Sequence, residues 1–89
     1  MITIGDKNFE LIENYRECFQ KEEFESLFTE YFYEYDYIIG DYAYNKLRLK
    51  GFYEDTNKKA KDLNKISNKD KYLEENCAYN CKYFILKKI

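Results

Sequence analysis

The stretch Tyr35–Tyr53, YDYIIGDYAYNKLRLKGFY, decides how the chain is read. It is rich in β-branched and aromatic residues, carries Gly40 and Gly51, and contains a clean alternation, Lys46-Leu47-Arg48-Leu49-Lys50. Residues of this kind favour a pleated, half-buried surface. The pattern predicts two strands, Tyr37 to Tyr42 and Lys46 to Tyr53, joined by Ala43-Tyr44-Asn45 and placed at the middle of a small antiparallel sheet. In the second strand the period of two puts Leu47 and Leu49 toward the core. Lys46, Arg48, Lys50 and Phe52 then share the opposite face. Gly40 and Gly51 mark a bulge or a close approach of another group to the backbone.

Working outward, Ile2-Thr3-Ile4, the turn Gly5-Asp6-Lys7 and the run Asn8 to Asn14 predict an N-terminal β-hairpin. A helix is expected from Lys21 to Tyr35. Phe24, Leu27, Phe28, Tyr31, Phe32 and Tyr35 fall on one face of a 3.6-residue period. Glu22, Glu23 and Glu25 lie near its first turn, where negative charge favours the helix dipole. An aromatic stripe at this spacing is read as core. The polar run Glu54 to Lys65, EDTNKKAKDLNK, reads as a mobile surface loop with at most one helical turn. Ser67 and Asp70 resemble a capping box opening a short helix from Asn68 to Cys77 that buries Tyr72 and Leu73. The apolar run Tyr83-Phe84-Ile85-Leu86 predicts a central strand. The sum is a single α+β domain over residues 1–89: an antiparallel sheet of about five strands with two α-helices packed against it.

Composition sets limits on chemistry. The 89 residues include 11 Tyr and 7 Phe but no His, Pro or Trp. Without histidine no His general base, Cys–His dyad or Ser–His–Asp triad can be assembled from this chain. A zinc site would have to use Cys18, Cys77, Cys81 and a carboxylate, a poor match to the usual ligand sets. Carboxylate pairs such as Asp36 with Asp41 have no spacing that marks a catalytic dyad. No glycine-rich phosphate loop is present. The expectation is a non-enzymatic protein with no catalytic residues, no metal and no cofactor.

No apolar run approaches the roughly 20 residues of a membrane span, and MITIGDKNFELIENYRE shows no export signal. With 3 cysteines, an odd number, the expectation is a reducing cytoplasm, free thiols and no membrane contact. The net charge of −2 conceals an asymmetry. Residues 1–45 hold 11 acidic and 3 basic side chains, a balance of −8, and residues 46–89 hold 6 and 12, a balance of +6. Such a split lets the two halves attract one another on folding, and it leaves basic side chains for an anionic partner.

NYR at Asn14–Arg16, YDYIIGDY at Tyr35–Tyr42, LRLKGFY at Leu47–Tyr53 and CAYNCKYFIL at Cys77–Leu86 together resemble the YutD-like proteins, small cytosolic proteins of Gram-positive bacteria and their wall-less relatives. The resemblance runs from Phe9 through nearly the whole chain. It implies a compact α+β fold and assigns no activity, cofactor or catalytic residue. This chain has Asn80 where the family pattern commonly has glycine before the second cysteine. Asparagine tolerates positive φ better than most residues, so the turn is expected to survive.

Two candidate sites follow. The first is a basic–aromatic face of Lys46, Arg48, Lys50 and Phe52 with Tyr44 nearby. It suits a protein partner, since Tyr and Arg are favoured at interface hot spots. The alternative is single-stranded RNA, whose bases stack on aromatic rings. Lys50-Gly51-Phe52-Tyr53 echoes the start of an RNA-binding signature, but the later aromatic pattern is missing and Glu54-Asp55 follows at once. The bland reading of this face is a solvated strand surface paired with the acidic helix. The second candidate is the thiol pair Cys77 and Cys81, spaced i, i+4, as a redox switch. The competing reading there is two small side chains packed where helix meets strand.

Overall fold

The computed structural model describes residues 2–76 and 81–89. Two local hairpins form first in sequence order. β1 (Ile2–Ile4) pairs antiparallel with β2 (Lys7–Tyr15), and β3 (Tyr37–Ala43) pairs antiparallel with β4 (Lys46–Phe52). The last strand, β5 (Tyr83–Lys88), lies between them and pairs with β2 and β3. The sheet order is therefore β1-β2-β5-β3-β4, with every pairing antiparallel. The apolar run in β5 is central, as its composition requires. The stretch Tyr35–Tyr53 is not the centre. β3 is an inner strand, and β4 is an edge.

β2 changes register between Leu11 and Glu13, so Ile12 is an extra residue that faces solvent. The shift turns Asn14 inward, where its side-chain oxygen accepts the Phe19 N–H at 3.0 Å. This fixes the path from β2 toward the helix.

Both faces of the sheet are covered. On the first, Ile38, Phe84, Leu86, Ile4 and Phe9 form a cluster with Phe24 and Cys18, and Leu47 and Leu49 pack against it. The cover is α1 (Lys21–Leu27) and a 3-10 turn at Glu30–Phe32. The expected helix to Tyr35 thus ends eight residues early. Phe28 and Thr29 take up extended backbone, and β-branched Thr29 has little helix propensity to oppose the break. The rings keep contact without the helix: Phe24–Phe28, Phe28–Phe32 and Phe32–Tyr35 centroids lie 5.2, 6.2 and 6.4 Å apart. What the break changes is the other half of the stripe. Leu27 and Tyr31 face solvent and are not core.

On the second face, Tyr37, Ile39, Phe52 and Ile85 are covered by Ile66, Tyr72 and Leu73, from a 3-10 turn at Ile66–Asn68 and from α2 (Lys69–Asn76). The polar run 54–65 that leads there is pinned, contrary to its reading as a mobile loop. The Asp36 carboxylate accepts the Glu54 N–H at 2.8 Å and the Asn57 amide at 3.0 Å. A 3-10 turn at Asp62–Asn64 brings the chain back, and Tyr53 bridges Lys65 in parallel. The Ser67 N–H goes to Asp55. Hydrogen bonds hold this segment where hydrophobic burial cannot, which composition alone does not reveal.

Candidate functional site

Tyr44 and Asn45 form the β3–β4 turn with φ of 53° and 64°. Two successive left-handed residues are the backbone of a type I′ hairpin turn, which matches the twist of the flanking strands. Asparagine and glycine suit these positions; tyrosine at positive φ costs on the order of 1 kcal/mol. Its ring is 98% exposed, the most exposed large apolar side chain among the described residues. No aromatic stacking or hydrogen bond within the described residues uses it. The strain at Tyr44 is thus unmatched by burial.

The turn fixes the register Asp41↔Arg48, and the pair is the electrostatic centre of the second face. Asp41 is fully buried, while the Arg48 side chain is 45% exposed and donates to the carboxylate at 2.6 Å. The Tyr72 hydroxyl from α2 donates to the other carboxylate oxygen at 3.1 Å. A buried carboxylate needs such partners, since an isolated one would be very costly. The contact with Asp41 raises the Arg48 pKa further and keeps the guanidinium charged.

Of the five residues expected on the face, the structure therefore leaves three exposed, Tyr44, Lys46 and Arg48, one half-buried and one inside. Arg48 is shared with Asp41. Lys50 is half-buried, with its ammonium 5.9 Å from the Phe52 ring, and it lines a cleft of about 440 Å³ with Leu63, Lys71 and Tyr72. Phe52 is fully buried, edge-on to Tyr72 at 5.5 Å. It is a core residue and not a stacking platform. The sequence reading missed Asp41 and Tyr72. The signal was the register itself: a two-residue turn at positions 44 and 45 sets position 41 opposite position 48.

Burial, then the Asp41 charge, push the Tyr72 phenol up to about 12. Tyr37, buried and bonded to Glu54, and Tyr83, bonded to Glu13, also reach about 12. An unfolded tyrosine titrates near 10, so the folded state holds these protons more tightly. Their contribution to stability is full below pH 10 and is lost as pH rises through 12. Urea unfolding followed from pH 9 to pH 12 is expected to show falling stability, with a shallower fall in Tyr72→Phe. An equal fall in that variant counts against the Tyr72–Asp41 contact.

The backbone of β4 has a second property. The Tyr42 N–H donates to the Lys82 carbonyl at 3.2 Å, so alternate residues of β3 address β5, while Tyr37, Ile39 and Asp41 address β4. Their partners Phe52, Lys50 and Arg48 point inward. Leu47, Leu49, Gly51 and Tyr53 therefore direct their N–H and C=O groups away from the sheet. At Tyr53 these groups are satisfied: its N–H donates to Asn64 at 2.7 Å and its carbonyl accepts from Ile66 at 2.9 Å. Among the described residues, no backbone hydrogen bond reaches the outer side of Leu47 or Leu49.

The thiol pair falls partly on Cys77, which lies outside the described residues. Cys81 is disulfide-bonded and offers no free thiol, so the expectation of free cysteines fails there. Cys18 is free but buried, and burial raises its pKa, which leaves it a poor nucleophile at neutral pH. Asp36 and Asp41 serve different hydrogen-bond networks and form no dyad. Among the described residues, no group of three His, Cys, Asp or Glu side chains is placed to hold a metal ion. No helix there is long and apolar enough to cross a membrane.

Fold and site define a small α+β protein with a five-stranded antiparallel sheet and a polar hairpin end. The chain belongs to the YutD-like family, described as "Putative antitoxin YutD-like", whose model matches residues 3–87. It is 45% identical to "Putative antitoxin YutD" of Bacillus subtilis (strain 168), over 100% of this chain and 98% of that protein. A solution NMR structure of protein yutD from B. subtilis is similar, with a TM-score of 0.83 at 45% identity, covering 100% of this chain and 81% of the other.

Proposed function

We propose that this is a non-enzymatic binding protein that engages a protein partner through the end of the β3–β4 hairpin. Tyr44 is the anchor, and Lys46 and Arg48 are the charged flank. The observation that carries this is Tyr44 itself, a strained residue whose ring is almost wholly exposed. Folding alone favours glycine or asparagine there, and strain retained without a packing return is characteristic of recognition sites. Exposed Tyr with neighbouring Arg is the composition of interface hot spots. The name of the B. subtilis relative, "Putative antitoxin YutD", fits a protein whose role is to engage another molecule. RNA is less well supported, because the ring expected to stack on a base, Phe52, is inside.

Tyr44→Gly separates binding from folding. It relieves the turn, so thermal stability is expected to stay level or rise by up to about 1 kcal/mol. Affinity capture of a protein partner from native lysate is expected to fall at least about tenfold, the loss typical of an interface anchor, and to persist in wild type after nuclease treatment. Unchanged capture by Tyr44→Gly, or capture abolished by nuclease, overturns the proposal.

A further inference from the structure

We propose that the outer edge of β4 at Leu47–Leu49 receives an extended segment of that partner as a sixth strand, and that the segment alternates acidic and apolar side chains. The inference deepens the reading of the hairpin end as a protein-binding surface and rests on it.

Three observations support it. First, the edge is competent and partly used. The chain itself docks Asn64–Ile66 on Tyr53 through two backbone hydrogen bonds, and stops there. Continuing from Tyr53 toward the turn, Leu47 and Leu49 present the same donors and acceptors in the same direction. Strand addition satisfies such groups and takes its affinity from the main chain. On the other side of the sheet β1 is only three residues long, and β2 beyond it is bulged at Ile12; short and bulged edges are poor templates.

Second, the side chains of β4 prescribe those of a neighbour. Residues opposite one another on adjacent strands share a face. On one face a partner strand meets Lys46, Arg48 and Lys50; on the other it meets Leu47 and Leu49, half-buried against the first core cluster. Because Arg48 is engaged with Asp41, the complementarity is carried by Lys46 and Lys50. Asp62 and Glu75 share the cleft with Lys50 and Lys71, so positive charge dominates toward the turn and not deep in the cleft.

Third, the same lysines exclude the competing occupant, a second copy of this chain. An antiparallel self-pair centred on Arg48 would set Arg48 against Arg48 and Lys46 against Lys50, and like charges directly opposite are destabilising. Edge lysines commonly serve this protective purpose. What repels a copy selects an acidic strand.

The test is a 15N NMR titration of the full chain with an acetylated, amidated Glu–Val alternating octapeptide. Shift changes and slowed exchange are expected at the Leu47 and Leu49 amides, while Arg48 and Lys50, bonded to β3, stay protected throughout. A Lys–Val peptide is expected to bind at least about tenfold more weakly. The double variant Lys46→Glu/Lys50→Glu is expected to reverse that preference, and N-methylation at alternate peptide residues to abolish binding. Equal binding of the two peptides, or shifts confined to β1 or the helices, overturns the proposal. Tyr44→Gly is expected to leave the peptide titration unchanged while lowering capture of the partner. A failed titration with Tyr44-dependent capture therefore removes only the strand addition, and the converse removes only the anchor.

Discussion

Arg48→Ala is expected to lower the free energy of unfolding by about 3 kcal/mol, read as a fall in the urea midpoint at unchanged slope. An ion pair at an exposed surface would give less than about 1 kcal/mol. The difference lies in Asp41, which is fully buried. Truncating Arg48 leaves that carboxylate its Tyr72 hydrogen bond but removes its 2.6 Å guanidinium partner. A buried charge that loses its counter-charge costs far more than the pair contributes when intact. The companion variant Asp41→Leu/Arg48→Ala removes the charge together with its partner and is expected to recover most of the loss. With Asp41→Leu alone as the fourth corner, the departure from additivity is the coupling of a double-mutant cycle. A cost for Arg48→Ala below about 1 kcal/mol would show that water reaches Asp41 and would remove the pair from the centre of the second face.

Gly40→Ala is the other large effect, expected at about 2–3 kcal/mol in the same measurement. A methyl group built at Gly40 lies 2.6 Å from Cε2 and 2.7 Å from Cε1 of Phe84. Phe84 cannot step aside: it is fully buried, with the rings of Phe19 and Phe24 at 4.9 and 6.1 Å. Interiors packed this closely transmit a new methyl group as displaced rings or backbone. Gly51→Ala is the instructive comparison. There the obstructing ring is Tyr35, only half-buried and bonded at its hydroxyl to exposed Tyr31. The blocking atoms are at the root of that ring, which also packs 4.8 Å from the Tyr53 ring. It cannot turn away, and a cost of about 2–3 kcal/mol is expected there too. A cost below about 1 kcal/mol at Gly40 would refute the assignment of Phe84 as a fixed ring.

The elements most easily read from the sequence were those where pattern and packing agree. The alternation in β4 placed Leu47 and Leu49 on the core side, and the uninterrupted apolar run of β5 announced a central strand. Both glycines in Tyr35–Tyr53 marked close approaches, of Phe84 and Tyr35. The aromatic period after Lys21 misled in one respect. It recorded ring-to-ring contact correctly, but such contact survives an extended break at Phe28 and Thr29, so periodicity overstated the helix. The pinned segment 54–65 was illegible for a different reason. Its anchors are single hydrogen bonds to Asp36 and Asp55, and nothing in local composition distinguishes an aspartate that holds a loop from one that faces water.

The candidate site was legible in its charges and not in its depth. Lys46, Arg48, Lys50 and Phe52 do share a strand face. Whether a face is open depends on what a distant segment lays over it, here Ile66, Tyr72 and Leu73. Asp41 went unnoticed as a partner because an acid inside β3 gains its role only from exact register. Tyr44 was legible as an aromatic near the cations; its left-handed backbone was not, since tyrosine carries no preference for that conformation.

The position of β5 bears on how the molecule comes into being. Synthesis delivers a chain from its N-terminus, and the strand that unites the sheet is the last of the five to appear. Until then β1–β2 and β3–β4 are separate ribbons, and isolated two-stranded ribbons are marginal in water. Each exposes, on the side β5 will occupy, an unsatisfied edge beside Phe9, Ile38 and Ile39, residues that end fully or almost fully buried. Until β5 is complete, a chain delivered in that order is at a stage with two open-edged halves and no keystone. A lesion in Phe84, Ile85 or Leu86 would accordingly act on biogenesis, by prolonging that stage, as well as on the finished protein.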